Sequence, residues 1–305
     1  MKSARRKKLM KKRRLSLGKP SILLALLLLV LVIFLFVKFR TVYWNGQDKL
    51  AFAFRMKSGD VGVTVADPKL AEITTLIIPG DTQVDVAENY GTLRIKNVWQ
   101  LSQNEKLKGR LLPETITQNF LFPAFLWSDS DGVAISSPSV SGILKFVLTP
   151  KATNIPFGDR LNLGLFALKV SDSGRSEINL GESQFLRKLK LNDGGNGYVL
   201  VGLPSSRLTV YFSDNDAILM QSKVNMIDAT GTSDVANKVG QIIEVMGGKV
   251  VSIEKKAPAL FDCEVIGTDP KVVEKILTLF SCAKGAGKSD FDLEVRLGQN
   301  FAKRF

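Results

Sequence analysis

Four residues could together do phosphoryl chemistry: Asp60, Asp81, Arg94 and Lys96. Two aspartates can share a divalent cation, and two nearby bases can neutralise a pyrophosphate. Acids beside turns are also common as solvated turn residues, so both readings stand. The chain has no histidine. That excludes histidine-based nucleophilic triads, histidine metal ligands and the commonest general base. Cys263 and Cys282 are too few for a structural zinc site. They form either a disulfide or two buried thiols, a choice set by their Cα separation. Asp129-Ser130-Asp131-Gly132 has the look of a calcium-binding turn. It lacks the further oxygen ligands and closing glutamate of such a loop, and reads as an ordinary turn. Gly231 sits between a strand and a helix, where free amides can cradle a phosphate. The three spaced glycines of a dinucleotide site are absent, so a tight packing turn is the simpler reading.

The elements that must position these residues are legible in part. Ala51–Phe54 reads as a short strand or a turn of helix. Val61–Ala66 and Ile73–Ile78 read as strands joined through Asp67-Pro68-Lys69, a hairpin. Val84–Val86 is a further short strand. Residues 94–122 predict two helices broken near Gly109–Pro113, with Pro113 as a first helical residue. The apolar and aromatic run Leu121–Trp127 is core or a groove. Ser139–Leu148 predicts a helix with Val140, Ile143, Leu144 and Val147 on one face. Leu161–Val170 and Gly181–Leu189 are ambiguous between helix and strand. Gly194-Gly195-Asn196-Gly197 is a strong turn, and Leu208–Phe212 reads as a strand. A boundary falls near 214–222. Beyond it the order is strand (Lys223–Ile227), helix (Ser233–Met246), strand (Lys249–Glu254), strand (Cys263–Ile266), helix (Pro270–Phe280) and strand (Asp292–Leu297). That order predicts two helices covering one face of a small sheet.

The 305 residues carry a formal charge of +13, but ten Lys or Arg lie within the first nineteen positions, leaving +3 for the rest. The high pI therefore says little about what the remainder binds, and no nucleic acid is expected. Directly after the basic tail come sixteen uncharged apolar residues, Ile22–Val37. The run reads as a transmembrane helix over 21–39, contacting membrane lipid. The basic flank would hold the N-terminus in the cytoplasm and place the bulk of the chain outside a cell membrane it crosses once. The predicted organisation is a cytoplasmic tail (1–20), the transmembrane helix (21–39), an extracytoplasmic α/β domain (40–215) and a small C-terminal α/β domain (222–305).

Two stretches resemble a known family. Gly59-Asp60-Val61-Gly62-Val63-Thr64-Val65-Ala66-Asp67-Pro68, followed by Thr74-Thr75-Leu76-Ile77-Ile78-Pro79-Gly80-Asp81-Thr82, is similar to the strand-and-turn motif of LytR-CpsA-Psr envelope proteins. Val224-Asn225-Met226-Ile227-Asp228-Ala229-Thr230-Gly231-Thr232 and Leu293-Glu294-Val295-Arg296-Leu297-Gly298 resemble the opening and closing motifs of that family's optional C-terminal module. The likeness covers 55–98 and 223–301. It implies an envelope protein that binds cell-wall polymer, polyprenyl-linked glycan or an envelope partner. It also implies a possible pyrophosphate or magnesium site at Asp60, Asp81, Arg94 and Lys96. Family enzymes move a glycopolymer from polyprenyl pyrophosphate to peptidoglycan, and the arginine of their Pro-Arg-Asp motif helps bind the pyrophosphate. This chain has Gly80 at that position, and glycine has no fork of donors for phosphate oxygens. Arg175 and Arg187-Lys188 fit the family's later arginine-rich segment poorly. The residues therefore favour a non-catalytic binding protein without a cofactor. A magnesium-dependent phosphotransferase is the alternative.

Overall fold

The computed structural model describes residues 26, 28, 43–44, 46–137, 139–191, 193–213 and 222–305. The chain divides into Met1–Arg40 and Thr41–Phe305. In the first unit the described residues Leu26 and Leu28 are helical and exposed.

The membrane-spanning helix read over 21–39 is corrected. Among the described residues no helix is long and apolar enough to cross a membrane. The longest helix described by its ends has thirteen residues, about 20 Å at ~1.5 Å per residue against a ~30 Å hydrocarbon core. The predicted span lies outside the described residues apart from Leu26 and Leu28. The single-pass assignment, and the membrane localisation built on it, are withdrawn.

The second unit is α/β, with two five-stranded sheets. In the first, β1 (Leu50–Arg55), β2 (Val61–Asp67) and β3 (Glu72–Ile78) run antiparallel. The Asp67 carboxylate fixes the β2–β3 turn by accepting the Lys69 and Leu70 amides at 3.0 and 3.3 Å. Short β4 (Gln83–Asp85) and β5 (Thr92–Arg94) form a hairpin of their own. Two helices follow, α1 (Ile95–Asn104) and α2 (Leu111–Phe120). Pro113 is therefore the third residue of α2 rather than its first. Next come β6 (Leu126–Ser128), α3 (Val140–Leu148), α4 (Phe157–Lys169) and β7 (Arg175–Asn179). β6 and β7 pair in parallel with β1 and β3, giving the order β6-β1-β2-β3-β7.

Every residue of β2 is buried, which requires cover on both sheet faces. Ala53, Val63, Val65 and Leu76 meet Ile95, Val98 and Trp99 of α1 and Leu112, Ile116 and Phe120 of α2 in one core. Phe52, Phe54, Ala66 and Ile73 meet Ile143 and Phe146 of α3 and Leu163 and Ala167 of α4 in another. The alternation of Phe52, Ala53 and Phe54 between these cores is the strand period of two. Leu121–Trp127 is mostly core, with Phe122 and Leu126 fully buried, while half-buried Pro123 and Phe125 line an apolar cleft. The face predicted for α3 is displaced by one step. Val140 and Leu144 are exposed, while Ile143, Phe146 and Val147 pack inward.

β8 (Leu186–Lys190) and β9 (Asn196–Leu200) form a hairpin around the predicted glycine turn. The strand expected at Leu208–Phe212 is instead a helical turn, α5 (Ser206–Thr209). Leu208 and Phe212, four apart, are both buried, and the Phe212 ring stacks on Phe122 at 4.6 Å. The expected boundary at 214–222 lies outside the described residues except for Ser222.

The second sheet contains β10 (Lys223–Ala229), β11 (Lys249–Lys255), β12 (Cys263–Gly267), β13 (Ala283–Lys284) and β14 (Leu293–Gly298). Their order is β11-β10-β14-β12-β13. Helices α6 (Val235–Val245) and α7 (Pro270–Phe280) pack through Val239, Ile242, Ile243, Val272, Val273 and Ile276 into its core. Asp269 caps α7 by accepting the Lys271 and Val272 amides, and Pro270 occupies the first turn, where no intrahelical donor is needed. Cys263 and Cys282 are disulfide-bonded, with Cα atoms 4.9 Å apart. The closing helix α8 (Gln299–Arg304) donates from Arg304 to the Phe280 carbonyl at 2.7 Å, beside that bond.

Candidate functional site

Two turns bring Asp60 and Asp81 to one end of the first sheet. The β1–β2 turn closes with Met56 N–H donating to the Asp60 carbonyl at 2.8 Å. After β3, Thr82 donates from both its amide and its hydroxyl to the Pro79 carbonyl. Asp60 ties the turns together. Its Oδ1 accepts the Gly80 amide at 2.8 Å and its Oδ2 accepts the Ser58 hydroxyl at 2.8 Å. The turns press so closely that a Cβ on Gly80 would lie 2.4 Å from the Gly59 carbonyl oxygen. Position 80 is a glycine because a side chain does not fit, so the missing arginine is a feature of the backbone path.

Asp81 is held by the two bases named with it. Lys96 Nζ lies 2.6 Å and Arg94 Nη1 2.7 Å from the same oxygen, Oδ1. The register of the β4–β5 hairpin explains this meeting: Gln83 pairs with Arg94, which carries Arg94 back beside Asp81. Hydrogen bonds from Lys96, then from Arg94, hold the Asp81 carboxyl below its ordinary range. Arg94 has a second acid that the sequence reading did not single out. Its Nε and Nη2 donate to the two oxygens of Asp193, each at 2.9 Å. The Gly195 amide, then Arg94, lowers the Asp193 carboxyl, and the two acids raise Arg94. The available signal for Asp193 was its place next to the glycine turn, which folds it back over the hairpin.

This arrangement does not fit a shared magnesium ion. Mg2+ needs carboxylate oxygens open to an octahedral shell. Both Asp60 oxygens accept hydrogen bonds from the chain, and two cations face Asp81 Oδ1. Among the described residues no three His, Cys, Asp or Glu side chains converge as a metal set.

What the site offers is positive charge. A cleft of about 460 Å3 beside Gly59 is lined by Arg55, Lys57, Lys96 and Lys151, with Trp99 as its aromatic wall. Among the described residues no carboxylate lines it. Arg55 lies over the Trp99 ring at 5.4 Å from its centroid, a stacking that fixes the guanidinium and leaves its donors free. Among the described residues Arg55, Lys57 and Lys151 form no ion pair. Sequence reading found Lys96 but not the other three, which come from the end of β1, the β1–β2 turn and the loop before α4.

No protein-family model matches the chain, and no curated protein matches it. Solved structures show low similarity. A Bacillus subtilis TagT structure has 12% identity and a TM-score of 0.36, covering 54% of this chain and 89% of that one. YwtF (TagT), a LytR-CPS2A-psr family protein with bound octaprenyl pyrophosphate lipid, has 13% identity and a TM-score of 0.37, covering 54% and 89%. The gbs0355 protein of Streptococcus agalactiae has 10% identity and a TM-score of 0.37, covering 51% and 83%. Similarity at this level assigns neither ligand nor mechanism, so function is read from this chain's own residues.

Proposed function

We propose that the protein is a non-catalytic binding protein for a phosphate-bearing envelope polymer, either cell-wall polymer or lipid-linked glycan. The observation that carries this reading is the cleft lined by Arg55, Lys57 and Lys151, which form no ion pair among the described residues, and by Lys96, whose ammonium is shared with Asp81. Such a cleft attracts polyanions, because low-dielectric walls concentrate the field of like charges. Guanidinium and ammonium groups then supply charge-assisted hydrogen bonds to phosphate oxygens. The motif resemblance at 59–82 and 224–232 supplies the class of polymer. We further propose that the unit spanning 40–215 carries this site and that 222–305 is a second domain.

The phosphotransferase alternative has less support. Asp60 spends its oxygens tying two turns together, Asp81 is neutralised by its own chain, and Gly80 has no room for a side chain. The test is co-sedimentation of the full chain with purified cell-wall sacculi carrying a phosphodiester polymer. Retention that falls with added salt, and falls about tenfold in a Lys57→Ala, Lys151→Ala variant, supports binding through the cleft. Retention unchanged by that variant would contradict it.

A further inference from the structure

The same hairpin that positions Arg94 borders a second cleft of different chemistry. It holds about 350 Å3, between β4, α2, the end of β9 and helix α6. That lies at the lower end of the ~300–1,000 Å3 range of small-molecule sites. Its polar lining includes Gln83, Asp85, Gln118, Lys238 and Gln241. One acid and one base leave it close to neutral, unlike the cationic cleft.

Asp85 is held before any ligand arrives. Thr92 donates its hydroxyl to Asp85 Oδ1 at 2.6 Å. Asn119 accepts the Asp85 amide at 3.1 Å and donates to its carbonyl at 2.7 Å. The second carboxylate oxygen of Asp85 has no hydrogen-bond partner among the described residues. Gln118 Oε1 is buried without a hydrogen-bond partner among the described residues. Beside these groups the turn at Gly202, with φ of 74°, presents Leu203, which is 63% exposed. The cleft thus pairs an apolar wall with amides that both donate and accept, and with a carboxylate that accepts.

We propose that this cleft binds an acetamido-sugar unit of a neutral oligosaccharide. Ring hydroxyls donate to the second carboxylate oxygen of Asp85. The acetamido group matches the side-chain amides of Gln83 and Gln241 in both donor and acceptor, and the C–H face of the ring lies on Leu203. Phosphate is disfavoured here by Asp85. The inference rests on the reading of the protein as a polymer binder and names the saccharide part of that ligand. Asp85 and Asp81 are four positions apart, at most about 14 Å of extended chain. One glycan-phosphate chain lying along β4–β5 would reach both clefts.

The test uses the full chain and two probes, chitotetraose and sodium polyphosphate, each titrated by calorimetry and ligand-observed NMR. Gln83→Ala with Gln241→Ala removes two side chains that make no hydrogen bond among the described residues. An unchanged melting temperature confirms that this variant folds. It is expected to bind chitotetraose at least about tenfold more weakly and polyphosphate as before. Lys57→Ala with Lys151→Ala is expected to do the reverse. Absence of chitotetraose binding up to about 10 mM, or equal binding by the folded glutamine variant, overturns the assignment. Absence of polyphosphate binding by the native chain, with chitotetraose still bound, would remove the cationic-cleft reading and leave the saccharide cleft standing.

Discussion

The Asp60 carboxylate accepts the Gly80 amide at 2.8 Å, joining the turn after β1 to the turn after β3. Asp60 is thereby a structural brace between two turns, and Gly80 is the residue that lets them approach. The remaining polar chemistry at this end of the sheet is organised around that brace.

Restoring an arginine should therefore harm the protein. Gly80→Arg places a Cβ against the Gly59 carbonyl, where the atom to be displaced is backbone. Overpacking of this kind costs about 1–3 kcal/mol. The expected outcome is a melting temperature lower by about 2–4 °C per kcal/mol, read by calorimetry, with no gain in magnesium-dependent phosphate binding. A stable variant that gains such binding would show that the turns yield easily.

Removing the brace tests the same contact from the other side. Asp60→Ala leaves the Gly80 amide and the Ser58 hydroxyl without their acceptor, a loss of about 1–2 kcal/mol. Polyphosphate binding should persist, since Asp60 does not line the cationic cleft. Urea unfolding and a binding titration on one sample separate the two effects. Loss of binding in a folded variant would return Asp60 to the site.

The difference between what was legible and what was not follows from range. The β2–β3 hairpin and the order β10, α6, β11, β12, α7, β14 stand out because periodicity and turn chemistry are local; two-residue β13 is too short to show a period. Leu208–Phe212 misled because its residues have strand propensity, while the fold uses the four-residue spacing of Leu208 and Phe212 to bury both side chains. Val140 and Leu144 misled because several apolar faces fit one short helix, and only tertiary packing selects among them. Asp60, Asp81, Arg94 and Lys96 were identified as a group, yet not as a self-neutralising one. Asp193 reaches Arg94 from ninety-nine positions away, and Lys151 joins the cleft from a loop that carries no local motif. Spacing along the chain holds no record of such meetings.

The ion pairs of the hairpin predict an acid response. Asp81 and Asp193 both titrate below their ordinary range in the folded chain, whereas the unfolded chain takes up protons near ~3.9. Between those values the unfolded state binds more protons, so stability rises with pH there. It is fully present above ~4 and is lost as pH falls through the folded values. The groups are partly exposed, so the effect is modest and screened by salt. Melting temperatures recorded from neutral pH downward should decline less in Asp193→Asn than in the native chain. An identical decline would remove this pair from the acid response. Glu114, raised by its burial, works in the opposite sense and is present in both proteins.

The disulfide should stabilise the second sheet. Cys263 and Cys282 are nineteen positions apart, and closing a loop of about that length restricts the unfolded chain by about 3 kcal/mol. Cys263→Ser with Cys282→Ser should lower protection of the β10, β12 and β14 amides in hydrogen exchange. Protection of β1–β3 should change less. Equal loss in both sheets would mean that the two unfold as one unit.

The most direct measurement is titration of sodium polyphosphate into the native chain and into Asp81→Asn, each with and without magnesium. A binding role predicts that the variant binds several-fold more tightly, because Lys96 loses the carboxylate held at 2.6 Å and turns its charge to the cleft. It also predicts that magnesium leaves binding unchanged or weakens it. Loss of binding in Asp81→Asn, together with a requirement for magnesium in the native chain, would contradict the binding role and point to a metal-dependent phosphotransferase.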